Sequence, residues 1–315
     1  MPRFVFIINP AAGKGHHTQQ LQQEIREGFA KNGSDFEIHL TTGKGDALTF
    51  VRNYPTLQDT CFVACGGDGT LHEVVNGAVG KENCSVAVIP CGSGNDYVKN
   101  FGGAALFSSL ADLTKGHRQP VDLLRCGDIY SVNVCNIGFD AKVAHNMSKF
   151  KRLPFVSGTL AYHLAVVFSL LSPMNSYMTI DDGSGQTIRE KMILAVLANG
   201  YCYGGGYAPV PHACVADGVM EFLGVRALSR LQLAKFISIY KRGDHFTAPA
   251  LQPKIIYKET PKVTIRGDKP LVVCLDGEVL VQDAVTVEVV GSAIDLWLPP
   301  QAQPINQPAA ATANK

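Results

Sequence analysis

The stretch that decides the fold is Thr60-Cys61-Phe62-Val63-Ala64-Cys65-Gly66-Gly67-Asp68-Gly69-Thr70. Its first half is a short apolar run typical of a buried strand, and its glycines allow the backbone to turn directly into a helix. The N–H groups of such a loop and the dipole of the following helix favour an anion such as phosphate. A tight turn without any ligand is the alternative, because Gly-Gly and Asp-Gly also serve turns.

Two further loops follow apolar runs in the same way. They are Asn9-Pro10-Ala11-Ala12-Gly13-Lys14 and Pro90-Cys91-Gly92-Ser93-Gly94-Asn95-Asp96. In a parallel sheet, loops at the carboxyl ends of the strands converge on one crevice, so the three loops predict one nucleotide site. The spacing fits neither a Walker A P-loop nor the dinucleotide pattern GxGxxG, which argues against a dehydrogenase.

Short apolar runs alternate with longer amphipathic segments over the first 122 residues. This alternation is typical of βαβ units and predicts an α/β domain with a parallel sheet. The predicted strands are Phe4–Ile8, Phe36–Leu40, Thr60–Ala64 and Val86–Ile89, and the predicted helices cover about 18–32, 46–53, 70–80 and 104–114.

After residue 123 the pattern changes to alternating β-branched and polar residues at short spacing, which predicts a mostly antiparallel β-domain over residues 123–292. Two helices interrupt it, at about 159–171 and 229–241. Residues 301–315 are rich in Pro, Gln, Ala and Asn without periodicity, which predicts a disordered tail. The predicted strands are Tyr130–Val134, Tyr177–Asp181, Met192–Ala198, Val219–Val225, Val263–Ile265, Val272–Leu275 and Thr286–Val290.

Composition excludes several classes of protein. The chain has 315 residues, 46% of them hydrophobic and 17% charged, with a net charge of +1, so it carries no charge excess for a nucleic-acid partner. Nine cysteines without a CxxC pair argue against a disulfide framework and a zinc site. The apolar run Leu160–Leu171 is too short for a membrane span, and the first residues lack a signal-peptide pattern, which together predict a cytoplasmic protein without a transmembrane segment.

The segment Gly66-Gly67-Asp68-Gly69-Thr70-Leu71-His72-Glu73-Val74-Val75-Asn76-Gly77 resembles the signature of the diacylglycerol kinase catalytic-domain family. This family includes bacterial soluble lipid kinases and the sphingosine and ceramide kinases, and the resemblance extends over about residues 3–298. Further motifs fall in the family's order: Asn9-Pro10-x-x-Gly13, Lys44-Gly45-Asp46-Ala47, Pro90-x-Gly92-Ser93-x-Asn95-Asp96, Val121-Asp122, Asn136-Ile137-Gly138-Phe139-Asp140, Ala198-Asn199, Asp217-Gly218 and Asp276-Gly277-Glu278.

The resemblance implies the two-domain architecture shared by NAD kinases and diacylglycerol kinases. An ATP-binding α/β domain over residues 1–122, completed by residues 293–300, would precede a β-sandwich domain over residues 123–292 that receives the lipid. The implied activity is transfer of the γ-phosphate of Mg-ATP to a lipid hydroxyl, with diacylglycerol or a related lipid as acceptor. Such a kinase would serve lipid metabolism and phospholipid biosynthesis.

The resemblance also implies site residues, position by position. Asp68, Asp96 and Asp122 would organise the catalytic Mg²⁺, although helix caps and turns are an alternative role for them. Glu278 would be the general base, and its alternative is a solvated Glu beside an Asp-Gly hairpin turn. The residues implied to line the ATP site are Asn9, Pro10, Ala11, Ala12, Gly13, Thr41, Gly66, Gly67, Asp68, Gly69, Thr70, Leu71, His72 and Ser93.

A second, structural Mg²⁺ is implied at Cys214-Val215-Ala216-Asp217-Gly218-Val219. Its ligands would be the Asp217 carboxylate and the backbone carbonyls of Cys214 and Val219, and a plain turn between strands is the alternative. Two positions depart from the family pattern. His72 stands where many relatives have Asn, and Ser93 stands where they have Thr but keeps the hydroxyl group.

The expected partner is a lipid at a membrane surface, met by an exposed apolar patch near the helix at 159–171, so the protein would be peripheral at the inner face of the membrane. An edge strand of the β-domain could pair two chains into a homodimer. One competing interpretation is an NAD kinase, against which Leu71–Gly77 and Gly92–Asp96 argue. Another is a non-catalytic lipid-binding regulatory protein, against which the presence of Asp68, Asp96, Asp122 and Glu278 argues.

Overall fold

The computed structural model of the protein describes residues 1–15, 18–31, 33, 35–150, 153 and 158–306. The chain forms two compact units. Unit 1 consists of Met1–Leu123, Cys214–Gly218 and Val290–Lys315, and unit 2 consists of Leu124–Ala213 and Val219–Val289. The chain passes between the two units more often than the predicted domain boundaries imply. Those boundaries stay a prediction.

Unit 1 alternates strands and helices. Its elements are β1 (Arg3–Ile8), α1 (Thr18–Lys31), β2 (Phe36–Leu40), α2 (Asp46–Asn53), β3 (Thr60–Gly66), α3 (Asp68–Ala78), β4 (Cys84–Pro90), α4 (Leu110–Leu113), β5 (His117–Cys126), which runs on into unit 2, and short 3-10 helices at Ala12–Gly15, Tyr97–Phe101 and Ala104–Phe107.

The strands of unit 1 form the predicted parallel sheet. β1 lies between β2 and β3, and β4 follows on the far side of β3, all in parallel register. Every residue of β3 is buried because helices cover both faces of the sheet. Aromatic side chains fill one face, where Phe29 of α1 makes an edge-on contact with Phe4 at a centroid distance of 5.1 Å.

Unit 2 is built mainly from antiparallel strands. Its elements are β6 (Ile129–Ser131), β7 (Val134–Gly138), α5 (Phe139–Phe150), α6 (Gly158–Leu171), β8 (Ser176–Asp181), β9 (Thr187–Ala198), β10 (Met220–Arg226), α7 (Arg230–Arg242), β11 (Ile255–Thr260), β12 (Lys262–Leu275) and β13 (Glu278–Leu298), whose residues from 290 on belong to unit 1.

The pairing in unit 2 runs in the order β11, β10, β9, β7, β12, β13, and β8 pairs with both β9 and β12. Successive residues of a strand point to opposite faces of the sheet, so they pack into different hydrophobic clusters. Cys135 and Ile137 of β7 pack into one cluster, and Val134 packs into another that includes Phe236 of α7. In unit 1, Leu296 of β13 lies beside Val86, so β4 has a parallel neighbour on each side.

Three secondary-structure predictions were wrong in detail. The helix expected over 104–114 is divided, because the Ser109 hydroxyl accepts from Asp112 N at 3.1 Å and starts a new helix there. The strand expected over Tyr130–Val134 is two strands with an irregular break at Val132 and Asn133. The strands expected at 263–265 and 272–275 are one strand with a bulge between Arg266 and Leu271.

The helices expected at about 159–171 and 229–241 are present as α6 and α7. A capping box between Ser229 and Gln232 fixes the start of α7. Within the part of the chain that the structure describes, none of the helices combines the length and the apolar character needed to cross a membrane.

Candidate active site

The three predicted loops leave the sheet of unit 1 side by side. Ile8 pairs with Cys65, and Gly66 pairs with Pro90, so β1, β3 and β4 end at the same edge. Asn9 N donates to Cys65 O at 3.0 Å, and Cys91 N donates to Gly66 O at 2.8 Å. The parallel sheet therefore brings the three loops together.

Glycine is required where these loops touch. A Cβ on Gly92 would lie 2.5 Å from the Cα of Gly67, which is backbone and cannot move aside. A Cβ on Gly66 would overlap the Thr70 side chain, and one on Gly13 would lie 3.1 Å from Cys91 O. In contrast, nothing lies within 4 Å of a Cβ placed on Gly69, in the first turn of α3.

Side chains of the first loop and of α3 hold this arrangement. Asn9 accepts from Ala11 N at 3.0 Å through Oδ1 and donates from Nδ2 to Thr70 Oγ1 at 3.1 Å. The side chains of Leu71 and His72 are buried, at 1% and 5% exposure, whereas Ser93 is exposed on its loop. Of the predicted ATP-site residues, Leu71 thus belongs to the core of unit 1.

Asp68 and Asp96 lie together at the edge of the sheet. Asp68 follows Gly67, the N-cap of α3, and its Oδ1 accepts from Asp96 N at 2.8 Å and from Tyr97 N at 3.3 Å. Asp96 is buried, and Lys99 Nζ lies 2.5 Å from its Oδ1. Sequence reasoning missed Lys99, although its position three residues after Asp96 in a helical segment signals such a pair.

Asp122 joins three separate segments of unit 1. The carboxylate is buried and accepts from Gly218 N and Ser292 N, each at 2.7 Å. Its own N donates to Val215 O at 2.8 Å. Because Val215 and Gly218 flank Asp217, Asp122 fixes the loop of the predicted structural metal site, of which Val219 already belongs to unit 2.

No group of three His, Cys, Asp or Glu side chains that could hold a metal occurs among the described residues. Asp68 and Asp96 are brought together, but Asp122 directs its two oxygens to backbone N–H groups instead. A cation in unit 1 would therefore need water, phosphate or backbone oxygens beside these carboxylates, which is ordinary for Mg²⁺.

Thr41 continues the pairing of β2, since its N donates to Ile8 O at 2.9 Å. A cavity of about 800 Å³ follows on this side, with Thr42, Lys44 and Asp46 in its lining. Hydrogen bonds from the Thr42 side chain and backbone, and from His39, lower the pKa of Asp46 to about 2. None of the glycine-loop residues that follow β1, β3 and β4 lines this cavity.

Glu278 lies in unit 2, at the start of β13. It pairs with Leu275 across the turn Asp276-Gly277, whose residues have φ values of 48° and 101°. The hairpin turn considered in the sequence analysis is therefore present, and the half-buried Glu278 is its first strand residue. Sequence reasoning gave Asp276 no role, but its carboxylate accepts hydrogen bonds from four donors in residues 131–134.

An apolar stripe lies on α6 in unit 2. Leu160, Leu164, Val167 and Leu171 follow the spacing of one helix face and are 45%, 37%, 54% and 74% exposed. Ala161, Ala165 and Ser169 are buried on another face. Three basic residues precede α6 in the sequence and are candidates for contact with anionic head groups: Lys149, Lys151 and Arg152. Lys149 near the end of α5 is exposed, whereas Lys151 and Arg152 lie outside the described residues.

Comparison with known proteins extends the family resemblance. The model of the diacylglycerol kinase catalytic domain matches residues 3–126, and that of the YegS C-terminal NAD kinase beta sandwich-like domain matches residues 133–298. A diacylglycerol kinase from Bacillus subtilis is 26% identical over 284 residues, covering 88% of this chain and 90% of the relative. One from Staphylococcus aureus is 27% identical over 279 residues, covering 86% and 84%.

A solved structure shares the fold. The crystal structure of a diacylglycerol kinase from Bacillus anthracis has a TM-score of 0.69 at 19% identity, covering 96% of this chain and 98% of the other. The predicted architecture, an α/β domain with a parallel sheet followed by a β-sandwich-like domain, is confirmed. The chain belongs to the diacylglycerol kinase catalytic-domain family and combines that domain with a YegS-type C-terminal domain.

Proposed function

We propose that the protein transfers the γ-phosphate of Mg-ATP to the hydroxyl group of a lipid, with diacylglycerol as the first candidate acceptor. The observation that carries this proposal is the packing of three glycine loops around the N-terminus of α3. The first N–H groups of a helix have no partner within the helix and favour phosphate oxygens. The open space beside Gly69 leaves room for a phosphate to approach them.

Asp68 and Asp96 are the carboxylates proposed to hold Mg²⁺, and their hard oxygen ligands suit this ion. Bound Mg²⁺ would neutralise charge on the transferred phosphate. Asp122 would act by fixing the segments around Gly218 and Ser292, because both of its oxygens accept N–H groups. The structural Mg²⁺ with Cys214, Asp217 and Val219 as ligands stays part of the proposal.

Glu278 is proposed as the general base. Its carboxylate would take the proton of the lipid hydroxyl as the hydroxyl oxygen bonds to the γ-phosphorus. The bond from that phosphorus to the bridging oxygen breaks, and ADP leaves. Phosphoryl transfer passes through a loose transition state, so proton acceptance can be late and the main demand on the protein is positioning.

The Cys65 and Cys91 thiols are poor nucleophiles, because burial raises their pKa.

The stripe Leu160–Leu164–Val167–Leu171 on α6 is proposed to contact the membrane that supplies the lipid, at its inner face. Four exposed apolar side chains on one helix face form a surface that a lipid–water interface accommodates better than water does. Exposed Lys149 could approach anionic head groups beside it.

The decisive experiment measures phosphate transfer from labelled ATP with Mg²⁺ to mixed micelles of diacylglycerol, other hydroxylated lipids and NAD. We expect a labelled lipid, and we expect Glu278→Gln to lower kcat by about 10²–10⁴-fold, the usual contribution of a general base. Glu259→Gln, an exposed carboxylate of the same unit, is the matched control and should retain activity. Label on NAD alone would replace the lipid kinase by an NAD kinase, and no transfer despite ATP binding would favour a regulatory protein.

A further inference from the structure

The turn Asp276-Gly277, which directly precedes Glu278, is held to the rest of unit 2 by the Asp276 carboxylate. Asp276 and Gly277 both have positive φ, as in a two-residue hairpin turn. Asn suits the first position of such a turn as well as Asp does, so the turn alone does not require a carboxylate.

The Asp276 carboxylate accepts from a compact set of donors. Its Oδ1 accepts from Ser131 Oγ at 2.7 Å and from the N–H groups of Asn133 and Val134, each at 3.1 Å. Its Oδ2 accepts from Val132 N at 2.7 Å. All four donor residues are buried, and the carboxylate satisfies the N–H groups of Val132 and Asn133, which form the break between β6 and β7 and belong to neither strand.

The same break is anchored on its other side. Asn133 O accepts from Asn199 N and Gly200 N, each at 2.9 Å, and Asn133 Nδ2 donates to Cys202 O at 2.7 Å. Asn199 Nδ2 donates to Val132 O at 2.8 Å. Asp276 therefore fastens the turn to a buried segment that further hydrogen bonds from Asn133 and Asn199 hold in place.

We propose that Asp276 is a positioning residue that holds Glu278 for phosphoryl transfer, an inference that rests on the proposed function. Glu278 is two residues from this anchor and is the first residue of β13. Since a displacement of about 1 Å at a reacting group can cost about 10²-fold in rate, a loosened turn lowers kcat without affecting ATP binding.

The test compares Asp276→Asn, Glu278→Gln and the double variant under the assay described above. Asn suits this turn as well as Asp does and keeps one acceptor oxygen. Its NH₂ group is a donor, however, and would face either the N–H of Val132 or the donors that bond to Oδ1 in the wild type. We expect Asp276→Asn to lower kcat by about 10–100-fold with the KM for ATP nearly unchanged. The double variant should match Glu278→Gln, because an anchor has nothing left to position once the base is gone.

One control variant and one substitute variant complete the test. Asp181→Asn removes a similar turn carboxylate, which accepts from Gly183 N at 2.9 Å, and should leave kcat unchanged. If Asp276→Asn does not fold, Ser131→Ala removes a single donor and should lower kcat in the same direction by a smaller factor.

The outcomes separate the two proposals. Effects of Asp276→Asn and Glu278→Gln that multiply in the double variant, or a rise in KM without a loss of kcat, would overturn the positioning role while leaving a lipid kinase. A wild-type kcat for Glu278→Gln would reject Glu278 as the base and the positioning role with it. Absence of transfer by the wild-type protein to any acceptor would remove the proposed function itself and this inference with it.

Discussion

At the scale of single residues, several glycines and carboxylates of the motifs also support the backbone around the candidate site. Gly92 is required by its contact with the Gly67 backbone and Gly66 by its contact with the Thr70 side chain, before any phosphate is considered. Asp122 satisfies backbone N–H groups of distant segments. A sequence motif identifies the residues of a candidate site. Only the structure distinguishes the residues that hold the backbone in place from those whose side chains are available to a ligand.

Gly92→Ala tests this reading of the loops. The added methyl group would lie 2.5 Å from the Gly67 Cα, so we expect the free energy of unfolding to fall by about 1–3 kcal/mol. Gly69→Ala is the matched control, because the space beside Gly69 is open and Ala is favoured over Gly in a helix by up to about 1 kcal/mol. Urea unfolding of both variants checks this, and equal losses would contradict it.

Asp140 gives a prediction about pH. Burial raises its pKa to about 6, although the Tyr203 hydroxyl donates to the carboxylate and opposes the rise. Between the unfolded pKa near 4 and about 6, the folded protein binds more protons, so wild-type stability falls as pH rises through this window.

Asp140→Asn keeps an acceptor for Tyr203 and does not titrate. Its stability relative to the wild type should therefore increase from pH 4 to pH 6 and stay constant above that, as measured by urea unfolding at several pH values. Asp128→Asn, at an exposed position in unit 2, is the matched control for the substitution itself. A difference between Asp140→Asn and the wild type that does not depend on pH would refute the prediction.

At the scale of elements, strands and helices with a strong local signal were predictable. β2 and α2 were predicted with their observed bounds, because glycine, Asp46 and regular periodicity mark them. The break between β6 and β7 was not predictable, since its N–H groups bond to Asp276, more than 140 residues away in sequence. α5 was also missed, because it begins directly after a strand at Gly138 with a φ of 99°.

The proposed membrane contact of α6 is tested by vesicle binding. Replacing Val167 and Leu171 together by Ser removes two apolar side chains from the exposed stripe. Burying such a side chain contributes about 1.5–3 kcal/mol, so each substitution should weaken binding to phospholipid vesicles by about 10-fold or more. Leu57→Ser is the control, because Leu57 is 93% exposed but lies in unit 1 away from this helix in sequence. Equal binding of the double variant and the wild type would reject α6 as the contact.

At the scale of the whole molecule, unit 1 is assembled from three stretches of the sequence. Sequence periodicity detects each strand but not which unit a late strand joins, since that depends on pairing such as Leu296 with Val86. The partners of Asp122 could not be predicted for the same reason, because Gly218 and Ser292 are far from it in sequence.

Truncation tests the contribution of the late strand. A chain ending after Gly291 lacks Ile294, Leu296 and Leu298, all buried, so about 5–9 kcal/mol of apolar burial is lost. Because this is comparable to the total stability of a domain, we expect no cooperative thermal unfolding of unit 1. The disordered tail predicted over 301–315 is ordered up to residue 306, because Ala302 is buried and Ile305 N donates to Asn100 O at 2.9 Å. A chain ending after Asn306 keeps these contacts and should melt like the wild type. Cooperative melting of the shorter chain at the wild-type temperature would contradict this.

The position of β13 in unit 1 has a consequence for biosynthesis. β4 ends at residue 90, and its neighbour β13 is complete only at residue 298. At about 5–20 residues per second, the ribosome needs roughly 10–40 s to make the chain between them. During that time the nascent polypeptide displays one side of β4 without its strand partner, an edge that chaperones or neighbouring chains can bind. The parallel sheet of unit 1 can therefore gain its last strand only when nearly the whole chain has been synthesised.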